Sequence, residues 1–339
     1  MMVGMLLSAL ATPLRSLEAP SPIPFETVEI VLPPRLMAGH PATLAVLGTD
    51  GRLAPSLKVE LRDGQTVTTD RTGRAVFQVP ATGEYLLAQG AGSTAAALID
   101  PAIAQSEPSA IALPPIVSLR DRFWICGPGL RGDAEEDSVK LNGRPALILA
   151  SSPICLVVLP GPSVQPGPGS LSVEAPGVRW SATTTLVSLE FVPPNPPLSP
   201  GQQGELVVRA RGSNEKLPIV VQNRSSGVLR FLRGDSQELV TAGGAENLAS
   251  VKVRAISSGD FSFGARVVAA PDVRSAERYL RAALPLAPKD SERSLAKLTR
   301  RLTEHPREVS AVRSKIERLA QGSTAGDFRT LLEAAEAAL

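Results

Sequence analysis

The chain has 339 residues, more than one core usually serves, and 43% are hydrophobic against 20% charged, which excludes a disordered polymer and predicts two to four packed units. Its 35 Lys and Arg nearly balance 33 Asp and Glu, leaving a net charge of +2, so a nucleic-acid binder held by bulk charge is excluded. Proline (31) and glycine (28) are frequent enough to predict many turns and strand edges.

The chain opens with an apolar run over residues 3–11 that ends in Ala9-Leu10-Ala11, a small-x-small pattern of the kind cleaved from secretory signals. The usual positive leader residues are missing, so a buried or frayed apolar N-terminus is the alternative. No apolar run is long enough for a spanning helix, so no integral membrane segment is expected. Residues 1–24 are therefore read as a candidate signal followed by a Pro- and Ser-rich linker.

Residues 25–100 alternate short β-compatible runs, at 27–32, 42–47, 57–61, 65–69, 74–79 and 84–88. Asp50-Gly51, Asp63-Gly64, Thr72-Gly73 and Thr82-Gly83 separate them as tight turns. Thr69-Asp70, Gly73, Ala75 and Phe77, followed by Gly83, Tyr85 and Leu87, resemble the hairpin and following strand of bacterial Ig-like and carboxypeptidase-regulatory-like modules. That resemblance implies a spacer or binding module without an active site. Asp63 and Asp70 read as turn carboxylates rather than calcium ligands, because no oxygen-rich loop surrounds them.

After a Pro- and Ala-rich joint, residues 108–190 hold both cysteines and both tryptophans. Trp124-Ile125-Cys126-Gly127-Pro128-Gly129-Leu130, then Val139-Lys140-Leu141-Asn142-Gly143-Arg144-Pro145-Ala146, Ser151-Ser152 and Leu156-Val157-Val158-Leu159-Pro160 resemble the IPT/TIG family in order and spacing. The resemblance covers nearly the whole module. It implies an Ig-like sandwich of the sort found in cell-surface, secreted and enzyme-accessory proteins, and the near-neutral charge argues against the DNA-contacting branch.

Cys126 and Cys155 form a candidate disulfide. An even cysteine count in one small exported sandwich favours a bridge, and these positions fall on the second and fifth strands, which pair in Ig-like sheets. Alternation argues the other way: with Phe123 and Ile125 inward Cys126 points out, whereas counting back from Pro160 points Leu159, Val157 and Cys155 inward. A bridge and two separate thiols both stay open. A nucleophilic cysteine is disfavoured, since His40 and His305 are both remote in sequence.

Two Arg-Gly-Asp triplets, Arg131-Gly132-Asp133 and Arg233-Gly234-Asp235, are candidate surface-recognition motifs if an exposed loop tip presents them. Ordinary turn chemistry in so Gly-rich a chain is the favoured explanation of both. The acidic run Asp133, Glu135, Glu136 and Asp137 reads as a solvated turn rather than a glycosidase-type pair.

Residues 191–270, entered through Pro193-Pro194-Asn195-Pro196-Pro197, repeat the strand pattern at about ten residues per strand and predict a third sandwich. Residues 271–339 change texture. Leu295, Leu298 and Leu302, then Val309, Val312, Ile316 and Leu319, then Phe328, Leu331 and Leu332 recur at helical spacing. Three or four short amphipathic helices are expected, packing on one another or back on the third sandwich.

The expected fold class is thus mainly β: three tandem Ig-like β-sandwiches followed by a small C-terminal α-helical region. No zinc spacing, phosphate loop or nucleophile elbow is present, so no catalytic, cofactor-binding or metal residue is nominated. The functional expectation is a non-enzymatic, bacterial-type extracytoplasmic protein that binds, adheres or spaces through a protein partner or cell-surface component. A carbohydrate-binding accessory protein is the first rival, and it requires an exposed aromatic on a sheet face. An enzyme with a site at a domain junction is the second, and it requires a pocket that converges several polar groups. An intracellular scaffold is the third.

Overall fold

The computed structural model describes residues 28–102, 111–194, 197–223, 227–232, 234, 236–259, 263–268, 271–305, 308–324 and 326–339. The candidate signal at residues 1–24 lies outside them.

The first sandwich is built from β1 (Glu29–Val31), β2 (Arg35–Met37), β3 (Pro41–Leu47), β4 (Lys58–Leu61), β5 (Thr66–Thr68), β6 (Arg74–Gln78), β7 (Tyr85–Gly90) and β8 (Ser93–Asp100). One layer holds β1, β3 and β6, and the other runs β2-β8-β7-β4-β5, with β2 parallel to β8.

The second uses β9 (Ile116–Ser118), β10 (Phe123–Cys126), β11 (Ser138–Leu141), β12 (Arg144–Pro145), β13 (Leu147–Ser152), β14 (Cys155–Leu159), β15 (Gly167–Ala175) and β16 (Val178–Val192). Its layers are β13-β14-β10 and β12-β11-β15-β16, with β9 parallel to β16. Apart from short β12, this division of strands is the immunoglobulin-like one. Asn142 and Gly143, both at positive φ (50° and 74°), close the β11–β12 hairpin as a type I′ turn requires.

The third sandwich comprises β17 (Gln203–Arg211), β18 (Pro218–Asn223), β19 (Leu229–Phe231), β20 (Ser236–Val240), β21 (Leu248–Ala255) and β22 (Phe263–Val267). Its layers are β16-β17-β21-β19 and β20-β18-β22. Strand β16 therefore serves two sandwiches: residues up to Leu186 pair with β15, and Ser188–Val192 pair with β17. The chain thus crosses the expected boundary at residues 190–191 inside one hydrogen-bonded strand.

The junction of the first two sandwiches is equally continuous. Thr43 of β3 pairs with Ser151 of β13, which fuses the two layers into one sheet. Alternation on β3 sends Ala42, Leu44 and Val46 into the first core. Ala45 and Leu47 point the other way, into a second cluster with Val31, Leu149, Ala150 and Val157. Each fully buried Val or Leu there contributes roughly 1.5–3 kcal/mol.

The helices are α1 (Val273–Ala283), α2 (Lys289–Glu304), α3 (Val309–Gln321) and α4 (Gly326–Ala338). Asp272 starts α1 by accepting from Ser275 N at 3.0 Å, the usual carboxylate cap. The apolar stripes predicted from spacing are buried: Leu295, Leu298, Leu302, Val312, Ile316, Phe328, Leu331 and Leu332 share one core. The same core contains Leu87 and Leu98, with Tyr85 and Ala96 packed against it, so the helices dock on the outer face of β7 and β8. The helices pack on one another, as expected, and touch the third sandwich through the Arg313–Glu238 pair, but their main apolar contact is with the first, which the sequence reading did not anticipate. Leu86, Ala88, Ala97 and Ile99 of the same strands face the first sandwich core, so β7 and β8 are covered on both sides.

Candidate functional site

The first junction brings together Gly132 and Ser151, both singled out from sequence, with polar residues that were not. The carbonyl of Gly132 accepts from Thr43 Oγ1 at 2.7 Å and from Ser151 Oγ at 2.9 Å, and Thr43 Oγ1 also accepts from Ala134 N at 3.2 Å. Thr43 and Ser151 are buried, 1% and 0% exposed. Beside them Arg74 Nη2 donates to Ile148 O at 2.6 Å, and Arg122 pairs with Glu29 at 2.6 Å. The loop after β10 is thus fastened to β3 by hydrogen bonds made inside the junction, where an unmade one would cost more than it does in water.

That placement decides the first Arg-Gly-Asp triplet. Gly132 is buried, with Arg131 and Asp133 half-buried, so Arg131-Gly132-Asp133 is a structural seam and not a presented loop tip. In the second triplet Gly234 is exposed at φ 62°, while Arg233 and Asp235 lie outside the described residues.

Asp133, Glu135, Glu136 and Asp137 do not form one site. Asp133 Oδ1 accepts from Glu135 N at 3.0 Å as a turn carboxylate, and Glu135 and Glu136 are exposed. Asp137 is 7% exposed; its Oδ2 accepts from Arg131 N at 2.9 Å, and its Oδ1 and the neighbouring Arg131 Nε are buried without a hydrogen-bond partner. Burial raises the Asp137 carboxyl to about 6, against the opposing pull of the Arg131 N–H and charge. The folded state therefore keeps this proton where the unfolded chain has lost it. Its stabilising effect is complete below the unfolded value of 3.8 and is lost as pH rises through about 6. Asp137→Asn is expected to raise stability at pH 8 by about 1 kcal/mol while changing little at pH 4, as read from urea midpoints at the two pH values. An equal shift at both would exclude titration of Asp137.

Cys126 and Cys155 are joined by a disulfide, with Cα atoms 4.1 Å apart, on residues that face each other across β10 and β14. Alternation from Phe123 and Ile125 placed Cys126 correctly, on the face away from the core. The count back from Pro160 put Cys155 on the wrong face: Leu156 and Val158 enter the second core, and Val157 enters the junction. The sequence pattern was ambiguous because β14 is buried on both faces. Ser152 Oγ accepts from Cys155 N at 3.0 Å and donates to Arg35 O at 2.7 Å, so the bridged hairpin is tied to the first sandwich. The bridge spans a sequence separation of 29, but the strands it joins are already in register. The double variant C126A/C155A is therefore expected to lose about 2 kcal/mol, the low end for such a loop. Reversible denaturant unfolding measures this, and a loss under about 0.5 kcal/mol would contradict it.

A charge hub, which sequence reading missed, links strand and helix. Asp100, 8% exposed at its side chain, accepts from Arg35 Nη2 at 2.6 Å and also from Arg278 Nη1. Arg278 Nη2 reaches Ile99 O at 2.7 Å, and Tyr279 OH donates to Pro34 O at 3.1 Å. These partners lie 65 to 245 residues apart, so no local pattern could reveal them. A cavity of about 380 Å³ beside the hub is lined by Gly83, Glu84, Ile99, Arg278 and Arg281 among others. Its two guanidinium groups are already paired, Arg278 with Asp100 and Arg281 with Glu277.

Asp63 and Asp70 behave as turn carboxylates, accepting from Gln65 N at 3.0 Å and Thr72 N at 2.7 Å. Among the described residues no group of three or more His, Cys, Asp or Glu could hold a metal ion. Among them also no helix is long and apolar enough to cross a membrane. Trp124, on the outer face of edge strand β10, is 38% exposed, while Trp180 packs against the second core.

No protein-family model matches the chain. No curated protein matches it either. Solved structures align with this chain only at low identity and low TM-score. The extracellular region of plexin A4 aligns at 13% identity and TM-score 0.26, covering 73% of this chain and 23% of that one, so the chain spans about a quarter of it. The N-terminal four Ig domains of Dscam1 align at 10% identity and TM-score 0.21, covering 69% and 73%. The mixed-linkage glucan utilization locus protein SGBP-B of Bacteroides ovatus aligns at 11% identity and TM-score 0.19, covering 69% and 60%. The strand topology and core division described above define the class directly: a multi-domain protein of Ig-like β-sandwiches with a C-terminal helical unit.

Proposed function

We propose that this chain is an extracytoplasmic, non-catalytic binding protein that acts as a rigid platform, holding surfaces of its three sandwiches in fixed relation to a protein partner or cell-surface component. The observation that carries this reading is the two-sided burial of β3, β14 and β8, together with the shared strand β16. Flexible spacers keep their domains apart on exposed linkers, whereas this body spends its apolar residues on fixing relative orientation. The second sandwich is assigned to the IPT/TIG family on its motif order, with Asn142-Gly143 in the hairpin turn that the motif requires.

The test is made on the native chain. Mass spectrometry without reductant should show Cys126 and Cys155 two hydrogens lighter than the dithiol, and a membrane-impermeant amine reagent should label the protein on intact cells. Reduced cysteines together with labelling only after lysis would overturn the reading in favour of an intracellular scaffold. The carbohydrate-binding alternative has one observation in its favour, the exposed indole of Trp124. It requires retardation in gels containing soluble polysaccharide that Trp124→Ala abolishes; identical mobility of both proteins in every gel removes it.

A further inference from the structure

The third sandwich turns Leu206, Val208, Leu229, Phe231, Val251 and Val253 into its core. Alternation therefore sends Glu205, Arg230, Lys252 and Arg254 to the other face of β17-β21-β19, where all four are exposed. Arg230 of β19 stands directly opposite Arg254 of β21. Side chains so placed have Cβ atoms about 5 Å apart, and like charges there destabilise the sheet. Elsewhere among the described residues, charged residues that oppose each other in a ladder differ in sign: Glu174 with Arg179, Glu190 with Arg209, and Glu205 with Lys252. Nothing neutralises the arginine pair. The other ladder neighbour of Arg254 is Gln203, and among the described residues Arg230, Lys252 and Arg254 form no ion pair. At the far end of the same face Arg211 is paired with Glu190 at 2.8 Å, so the uncompensated charge is gathered at the β21–β19 corner.

A charge on an edge strand keeps that edge from pairing with another chain, which would account for Arg230 alone. Lys252 and Arg254 lie on β21, an inner strand between β17 and β19, and guard no edge. Exposed apolar residues flank the arginines. Leu232 N donates to Lys252 O at 3.3 Å, one step along the ladder from the pair, and Ile256 N donates to Val228 O at 2.8 Å, one step the other way. Leu232 is 45% exposed and Ile256 42%. Phe191, Phe231 and Phe263 all pack with the core instead. We infer that this corner is the docking surface for an acidic face of a protein partner, whose carboxylates bridge Arg230 and Arg254 between the two apolar residues. The planar fork of arginine suits a carboxylate, and Arg beside apolar groups is a composition typical of protein contacts. A glycan or a membrane surface would draw on aromatic side chains, for stacking or for anchoring, and this face lacks them. The inference deepens the platform reading and rests on it only for the existence of a partner. Its failure would show in binding by the purified chain, whereas failure of that reading would show in the cysteine redox state and in labelling of cells.

The experiment measures binding of the full chain, at low salt, to poly-L-glutamate immobilised on a biosensor. The wild-type chain is expected to bind, and the double variant Arg230→Glu/Arg254→Glu to bind about tenfold more weakly. The charge-matched control Arg293→Glu/Lys297→Glu, on the exposed face of α2, should change binding by less than about twofold, since screening confines each charge to its neighbourhood. Arg254→Gln supplies a second readout. It should weaken binding and yet raise the urea midpoint, because the change that removes the partner contact also relieves the repulsion from Arg230. A purely structural role would move both downward. Absence of wild-type binding, equal loss in the two double variants, or an Arg254→Gln midpoint below wild type each overturns the proposal. Tighter binding to phosphatidylglycerol vesicles or to dextran sulfate than to poly-L-glutamate, abolished by Arg230→Glu/Arg254→Glu, would overturn it in favour of a lipid or polysaccharide.

Discussion

Replacing Gly132 by alanine should detach the first two sandwiches from each other and cost about 3 kcal/mol, the upper end for overpacking against an unyielding neighbour. A Cβ at this position would lie 2.0 Å from Pro41 O and 2.6 Å from Pro41 C. Both atoms are backbone at the start of β3, so neither can swing aside as a side-chain tip would. Relief requires the loop to retreat, which breaks the two hydrogen bonds that its carbonyl receives from Thr43 and Ser151 and leaves both hydroxyls buried without an acceptor there. A drop in denaturation midpoint with new protease sensitivity between the first and second sandwiches is the expected result. An alanine variant with wild-type stability would mean that the junction is loose enough to adapt, and the platform reading would fail with it.

Leu98→Asp should have the second large effect and act in a different place. Leu98 is 1% exposed on β8 and packs among the helices. An aspartate there has no partner in an apolar contact, and an uncompensated buried charge costs roughly 3–5 kcal/mol. Because the helical unit has its own core of Leu295, Leu302, Ile316, Phe328 and Leu331, the expected outcome is undocking before global unfolding. Limited proteolysis should release residues after about 271 while the sandwiches resist. Simultaneous cleavage throughout the chain would show instead that sandwich and helices unfold as one cooperative unit.

Much of the fold is legible in the sequence. Turns at Asp63-Gly64, Thr72-Gly73 and Asn142-Gly143 fall between strands because the local chain demands positive φ there, and Gly64, Gly73, Asn142 and Gly143 all show it. The helical stripes were readable because spacing of three and four residues defines a face whatever lies opposite it. The candidate site was less legible. Alternation assigns each residue to one of two faces but presumes that one face is polar, and β14 reads Cys-Leu-Val-Val-Leu with four of five positions buried. Such an unbroken apolar run is itself the sign of a strand covered on both sides. Leu44 to Leu47 and Ala95 to Ile99 carry the same sign, which identifies the strands at junctions without naming what covers them.

The sequence alone determined most of the strands and helices in order, though not β2 and β8 of the first sandwich, together with the turn positions and the three-plus-one division of the material, since each depends on neighbours within about ten residues. Only the tertiary structure decided that Cys126 and Cys155 share a face and that Gly132 is buried in a seam. It likewise decided that β16 belongs to two sandwiches and that the main apolar contact of the helices is with the first sandwich. The physical reason is common to all four. Apolar burial is non-directional, so a buried stripe fixes that it must be covered, while the identity of the cover is settled by shape and by polar pairs such as Asp100 with Arg278, made between residues 178 positions apart.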